Sequence, residues 1–487
     1  MGDSGRRSAI HLEESTEWLG GIEPSTPSGR RAERIGAVVN KPSTLMIPVE
    51  NQFRELDAKL LLSCIAAERG FPVVLGSRTF LHFQVASIPR GVYMAKSMRS
   101  LSNRMFGILR KLGHDIVAWD EEGLIRAPDA QYWERRLSPK TIQKVAALFA
   151  WGPDDARSLR DYPGYSGAPI HVVGNPRVDM MRRELRPFYD TEVEAIRERF
   201  GRFVLINTNF GWSNHFIPNF ATINSKGMPP DGFMKALMAH RAELFESFKE
   251  MVPVLSKALP DHTILVRPHP TESHDPWNAI ARHNPNVKVV HEGNVIPWLM
   301  AAELLVHNGC TTAVEGYVLG TPAVAYQPVR MPHFDDDLPN ALSQRVYDTD
   351  ELQQTVRSIL SGELRVNDYP ERQHRIEQHI ASLDGPLAAE QIIDVLEDAG
   401  YASRQPERSS FGHFLEAQIH TRARTGWKSL LMRKREHRNS IEYHTHRFPD
   451  LEISDLQAKI ERMGRQLGRF EKVRVREQSQ HIFRIEV

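Results

Sequence analysis

The stretch ILVRPHPTES, residues 264–273, runs four apolar positions straight into Arg267, Pro268, His269 and Pro270. A strand that ends on a guanidinium, then on an imidazole between two rigid prolines, has the parts of an anion site. A second stretch, LLVHNGCTTAVEGYVLGTPAVAY (304–326), ends a strand at His307, turns at Asn308 and Gly309, and opens a helix with Thr311 and Thr312. Hydroxyls and unpaired N–H groups at a helix start, aided by the helix dipole, suit a phosphate. Glu315 lies one turn further along that face, placed to accept hydrogen bonds from a ribose or base. In a parallel sheet both strands end at one edge, so Arg267 and His269 should face the Thr311–Thr312 helix start. There they could stabilise a phosphate as its ester bond breaks. A neutral His269 would donate one hydrogen bond, and a charged one would offset leaving-group charge.

The N-terminal half supplies an acidic counterpart. In VAWDEEGLIRA (117–127) a strand ends on Asp120, Glu121, Glu122 and Gly123. Carboxylates at a sheet edge can divide acid, base and nucleophile roles between them. PVENQFRELD places Glu50, Asn51 and Arg54 at the first strand-to-helix turn, and GSR adds Ser77 and Arg78. Asn209, after the strand in RFVLINTNFG, completes the substrate-binding candidates.

Other patterns carry less. Asp335, Asp336 and Asp337 follow a strand without further ligands and read as an acidic loop. His444 and His446 in YHTH have metal-like spacing but no second pair. Neither a Walker lysine loop nor a G-x-G-x-x-G after the first strand occurs. ATP hydrolysis and NAD chemistry therefore rank low, and no metal and no cofactor is expected.

The elements that must position these residues alternate. Strands read at STLMIPVE, FPVVLGS, HDIVAWDEEG, ALFAWG and IHVVGNPR, with helices such as RELDAKLLLSCIAAERG between them. A second series starts at RFVLINTNFG and runs through PAVAYQP. The fold class is therefore α/β, as two tandem Rossmann-like domains with a helical C-terminal extension. The boundaries read as a disordered lead-in (1–42), an N-terminal acceptor domain (43–180), a helical linker (181–200), a nucleotide-binding domain (201–400) and a basic extension (401–487). In the extension, SDLQAKIERMGRQLG carries a capping box at Ser454 and Gln457 and an apolar face of Leu456, Ile460, Met463 and Leu467.

Composition bounds the rest. The 487 residues carry a formal charge of +1, with 41% hydrophobic and 25% charged residues, so no nucleic acid partner is expected. Two cysteines, Cys64 and Cys310, form no disulfide framework. The first 36 residues lack an apolar core, and no stretch reaches the roughly 18 apolar residues of a spanning helix. The expected location is cytoplasmic, peripheral at the inner membrane if the basic region RTGWKSLLMRKREHRNS lies on an anionic surface.

The paired acids, the HP dipeptide and the hydroxyl pair together resemble the motifs of bacterial sialyltransferases, a two-Rossmann (GT-B) glycosyltransferase class that uses CMP-activated sugars. EEGLIRA is still more similar to the EDGFLRS-type motif of the retaining β-Kdo transferases of capsule biosynthesis. From LMIPVENQ through VVGNPR to IFRI the chain resembles bacterial surface carbohydrate (capsule or lipopolysaccharide) biosynthesis proteins. The resemblance implies a CMP-linked donor such as CMP-Kdo, a surface glycan or glycolipid acceptor, and no metal. It puts His269, Thr311 and Thr312 on the CMP phosphate. It implies Glu121 as acceptor base by the sialyltransferase pattern, or Glu122 as catalytic carboxylate by the Kdo pattern. Glutamate stands where aspartate is usual, and the tryptophan–glycine signature of the capsule enzymes is missing from PVRMPHF. The same scaffold serves teichoic-acid-type transferases that use CDP-glycerol, but those place a histidine early in the first domain, and PVENQFRELD supplies none. A nucleotide-sugar epimerase, suggested by VVGNPRVD, and a non-catalytic assembly factor are the remaining alternatives.

Overall fold

A computed structural model describes residues 41–126, 128–216, 232–331, 334, 337–367, 369–433 and 440–487. Most of the lead-in, Asp335, Asp336 and the basic run 434–439 lie outside these.

Two twisted α/β layers form the frame. In the first sheet six strands run parallel: β1 (Thr44–Val49), β2 (Val73–Ser77), β3 (Gly91–Ala95), β4 (Asp115–Ala118), β5 (Ala147–Ala150) and β6 (Ile170–Val172). The second holds β7 (Phe203–Asn207), β8 (Thr263–Arg267), β9 (Val287–Val289), β10 (Leu304–His307), β11 (Ala323–Tyr326) and β12 (Gln344–Val346), also parallel. The spatial orders are β2-β1-β3-β4-β5-β6 and β12-β11-β10-β7-β8-β9. The expected pair of Rossmann-like units is therefore present. Strand order reverses between β1 and β3 in one sheet and between β7 and β10 in the other. At such switch points successive loops part and leave a crevice at the carboxyl edge.

The sequence dictates this burial. All six residues of β1, TLMIPV, are buried, as befits a parallel strand covered on both faces. The helix Gln52–Glu68 is buried nearly all round because it is enclosed by β1, β2, the helix Ala388–Asp398 and the helix Ile453–Leu467, its buried Glu55, Asp57 and Lys59 being paired. One hydrophobic cluster runs from Leu45 and Leu61 through Phe188, Tyr189 and Ile196 of the linker to Leu205 and Leu299 of the second unit.

The chain does not divide linearly. The helices Pro370–His379 and Ala388–Asp398, expected within the second domain, pack on helices of the first. The extension is helical over Phe411–Met432, Ile441–Arg447 and Ile453–Leu467, then ends in a hairpin, β13 (Arg474–Ser479) and β14 (Ile482–Glu486). This hairpin adds antiparallel to β2 at the edge of the first sheet. Gly76 permits the approach, since a Cβ there would lie 2.3 Å from the His481 carbonyl oxygen. Leu456, Ile460 and Met463 are buried as the apolar spacing requires. The capping box is not formed: the helix starts at Ile453 with Glu452 as N-cap, so Ser454 lies inside it.

Asp57 ties the pieces together. Its carboxylate accepts from Lys459 Nζ at 2.8 Å, Asn294 Nδ2 at 2.9 Å and the Tyr189 hydroxyl at 3.3 Å. First unit, linker, second unit and extension thus meet at one buried carboxylate. Burial raises its pKa, but Lys459 with the Asn294 and Tyr189 hydrogen bonds outweighs that and holds it below the usual range.

Candidate functional site

The carboxyl edges of both sheets face a cleft of about 560 Å³. Eight arginines line it against three carboxylates, Asp57, Glu122 and Glu315, so the cavity suits an anionic ligand.

On the wall of the second unit, β8 delivers His269. Thr271 fixes the ring: its hydroxyl lies 2.8 Å from Nδ1 and its backbone N–H donates to Nδ1 at 3.3 Å. A ring nitrogen that accepts an N–H carries no proton, so the hydrogen sits on Nε2, which has no partner among the described residues. Burial, followed by the charges of Arg54 and His291, pushes the imidazole down to about 3. His269 is therefore a neutral donor, one of the two forms expected. The prolines share the task of holding it with a residue that sequence reasoning missed. Glu272, buried, accepts from His269 N–H at 3.1 Å, Phe210 N–H at 2.8 Å and the Thr208 hydroxyl at 2.8 Å. It locks the β7 and β8 loops together, and burial raises its pKa against those bonds. Its position in HPTES, just after the strand end, was the available signal.

Arg267 lines the cleft, but its guanidinium is engaged elsewhere. Nη1 and Nη2 donate to the carbonyls of Glu292 and Gly293 at 2.9 and 2.8 Å, and the group lies 5.5 Å from the Trp298 ring centroid. Those two bonds brace the β9 loop, so Nη1 and Nη2 are not free for a phosphate. Burial lowers it to about 10.

The helix Thr311–Leu319 starts at the cleft, with Gly309 in the left-handed region (φ 87°) making the turn. Thr311 and Thr312 both line the cavity, and the Thr312 hydroxyl is buried without a partner. Beside them Asn207, at the end of the central strand β7, leaves both amide atoms buried and unpartnered. Orphaned buried polar atoms call for an explanation, and a ligand between the walls supplies one. Asn207 was not singled out from the sequence, although it stands two residues before Asn209, which also lines the cleft. Glu315 lines it too, paired with Arg177 across the units.

His307 and Asn308 are placed away from the cleft. His307 is fully buried, with Nε2 2.8 Å from the Ser343 hydroxyl and Nδ1 accepting from Gly309 N–H at 2.9 Å. It shapes the turn. Asn308 faces a separate void of about 10 Å³, room for one water.

On the opposite wall the acidic triplet divides. Asp120 is buried and grips Arg136 through both oxygens, with the Tyr132 hydroxyl at 3.1 Å. Glu121 turns inward, accepting from Trp119 Nε1 at 2.8 Å with Lys59 at 3.7 Å. Neither lines the cavity. Glu122 does, with its side chain 57% exposed and Arg136 Nη1 at 3.0 Å. Burial raises its pKa, but Arg136 and then Arg54 outweigh that and hold it below the ordinary value. Of the first-turn candidates, Asn51 and Arg54 line the cleft. Arg54 has no ion-pair partner among the described residues. The Asn51 amide oxygen is another buried orphan.

Glu50 and Arg78 do not line it. Glu50 is held by Arg447, Lys96 and Arg78 at 2.7, 3.0 and 3.2 Å, within a network that Lys96 and Glu55 extend inward at 2.6 Å. Ser77 is buried at the end of β2.

The extension closes the cleft. From the helix Ile441–Arg447, Tyr443, His446 and Arg447 line it, and His446 Nε2 sits 2.9 Å from the Pro270 carbonyl. His444 instead approaches the Thr79 hydroxyl at 3.5 Å, so the YHTH pair diverges. Among the described residues no group of three or more His, Cys, Asp or Glu could hold a metal ion, and no helix is long and apolar enough to cross a membrane. Asp337 pairs with Arg375.

No protein-family model and no curated protein sequence matches the chain. Among solved structures it is similar to the wall teichoic acid polymerase TagF, with 13% identity, a TM-score of 0.49, and 74% of this chain and 89% of that one covered. It is similar to Anabaena Alr3699/HepE in complex with UDP and glucose (11%, 0.42, 73% and 100%). The UDP-GlcNAc 2-epimerase of Methanocaldococcus jannaschii, in complex with UDP-GlcNAc and UDP, gives 13%, 0.44, 73% and 99%. Likenesses of this strength assign no residue a role.

Proposed function

We propose that the cleft binds a nucleotide-activated sugar and transfers the sugar to a surface glycan or glycolipid, the donor being a CMP-linked ulosonic acid such as CMP-Kdo. One observation carries the reading. The neutral, Nε2-protonated His269 and the Thr311–Thr312 helix start share a wall with Asn207, while Arg54 and the ionised Glu122 occupy the other; among the described residues the Asn207 amide and the Arg54 guanidinium have no partner.

The chemistry follows from that division. The acceptor hydroxyl oxygen bonds to the anomeric carbon as the sugar–phosphate bond breaks, the electron pair of that bond going to the CMP phosphate, which also takes up the hydroxyl proton. His269 Nε2–H, the helix-start N–H groups and Arg54 stabilise that charge without a metal. Positive charge grows at the anomeric carbon, where an ionised carboxylate is stabilising. Arg136 keeps Glu122 ionised and makes it a weak proton acceptor. Glu122 therefore serves as electrostatic partner or nucleophile more readily than as base.

The same phosphate wall suits a CDP-linked polyol phosphate, the teichoic-acid-type alternative. An epimerase and a non-catalytic binder also remain as alternatives. The test is calorimetry with CMP, CDP and UDP, then turnover of CMP-Kdo with candidate acceptors. Tight CMP binding with sugar transfer is expected. Preference for CDP would move the assignment to polyol phosphate transfer, and no binding of any nucleotide would overturn both.

A further inference from the structure

The helix Phe411–Met432 is amphipathic the wrong way round for a soluble protein. Its small residues Ala417 and Thr421 are buried against the helices Arg78–Gln84 and Asn103–Lys111, and Gln418 Nε2 donates to the Ala86 carbonyl at 3.0 Å. Its large apolar residues point outward instead. Phe411 is 80% exposed, Ile419 56%, Trp427 66% and Leu430 58%, with Leu415 half exposed. Residues 411, 415 and 419 recur at four-residue spacing, and Leu430 follows Ile419 by about three turns, so they share one side. Surface helices bury such a stripe.

Charge names what would cover it. Residues 404–438 contain nine Arg and Lys against three Glu, a net +6, whereas the whole chain carries +1. Arg422 and Arg433 are exposed on the same side as these apolar residues, one of which is a tryptophan. That combination, apolar side chains with basic residues beside them, suits the boundary of an anionic bilayer. Position agrees. The helix Phe411–Met432 leads along the chain into the helix Ile441–Arg447, whose Tyr443 and Arg447 line the cleft.

We propose that the helix Phe411–Met432 docks on an anionic membrane surface with Phe411, Leu415, Ile419, Trp427 and Leu430 in the interface. The docking stands apart from the transferase reading. Only its consequence, delivery of a lipid-anchored acceptor to the cleft mouth, rests on that reading.

Flotation of the full chain with phosphatidylcholine vesicles, with and without phosphatidylglycerol, tests this. Binding to the anionic vesicles is expected, falling with added salt, with little binding to neutral ones. The Leu415→Glu/Ile419→Glu variant should lose tenfold or more in vesicle binding. Its melting temperature and CMP binding should be unchanged, since neither residue touches the cleft. Absence of wild-type flotation, or equal flotation of the variant, overturns the proposal. Light scattering that shows a wild-type dimer and a monomeric variant assigns the face to a second copy and likewise overturns it. Failure to bind CMP would count against the transferase reading alone.

Discussion

Arg177 and Glu315 form a buried ion pair across the cleft, Arg177 from the turn that leaves β6 and Glu315 from the second turn of the helix Thr311–Leu319. Burial pulls the guanidinium down, but Glu315 first and then Glu121 hold its pKa above the ordinary value. The pair joins the two units beside the phosphate wall. Breaking one side of such a pair leaves a buried charge uncompensated, which costs about 3–5 kcal/mol, whereas replacing both partners by apolar residues is often neutral. Glu315→Gln should therefore lower the denaturant midpoint strongly, and Arg177→Met/Glu315→Leu should restore most of it. Equal losses in single and double variants would show that the pair does not carry the coupling.

His269 is expected to bind phosphate as a neutral donor. Its pKa of about 3 lies far below the working range, so its charge does not change between pH 5.5 and 8, taken as about two units above that value. His269→Ala should weaken CMP binding about tenfold, the worth of one good hydrogen bond to a charged group. The wild-type-to-variant ratio should stay constant over that range in calorimetry. A ratio that grows toward acid pH would mean that imidazolium is the binding form.

The two glutamates should fail differently. Glu122→Gln removes the exposed carboxylate of the acidic wall and should lower transfer by about 10²–10³-fold, the cost of losing one electrostatic stabiliser, with little change in melting temperature. Glu121→Gln disturbs a buried contact with Lys59 and Trp119, so its main effect should be on stability. Measuring turnover and thermal unfolding on both separates the roles. Full turnover by Glu122→Gln would remove it from the site.

Asn207 should matter to ligand binding more than to folding. Its amide atoms have no protein partner to lose, so Asn207→Leu should be close to neutral in stability or better. CMP or donor affinity should fall by about tenfold or more, the worth of one or two hydrogen bonds. Unchanged affinity would mean that the orphaned amide serves no ligand.

His307 gives a stability prediction with a definite sign. Burial depresses it to about 3. Below the usual value of about 6.5 the unfolded imidazole takes up a proton that the folded one refuses, so protons favour unfolding. Its contribution is whole above pH 6.5 and drains as pH falls toward 3, by up to about 1.4 kcal/mol per pH unit. The stability gap between wild type and His307→Asn should shrink across that window. A gap independent of pH would contradict the buried, neutral assignment.

Much of the site was legible because strand ends and helix starts announce themselves. The apolar runs before Arg267 and His307 fixed where two strands stop, and the parallel arrangement then put His269 and Thr311 at one edge. Asn51, Arg54, Asn209, Thr312, Glu122 and Glu315 reached the cleft by the same logic of carboxyl-edge loops. Sequence spacing says which edge a residue occupies but not which way its side chain turns. Three neighbouring carboxylates therefore part company, Asp120 to Arg136, Glu121 to Lys59 and Glu122 to the cavity. Arg267 and His307 point at their own loops for the same reason: a buried polar group takes the partner that packing offers. The chain by itself determined two Rossmann-like units and a phosphate-ready helix start, since periodicity and turn residues act over a few positions. Only the tertiary structure decided that residues 440–487 would return to seal the cleft and extend the first sheet, and that Glu272 and Asp57 would hold the walls. Those contacts join residues tens to hundreds of positions apart, and no local pattern encodes them.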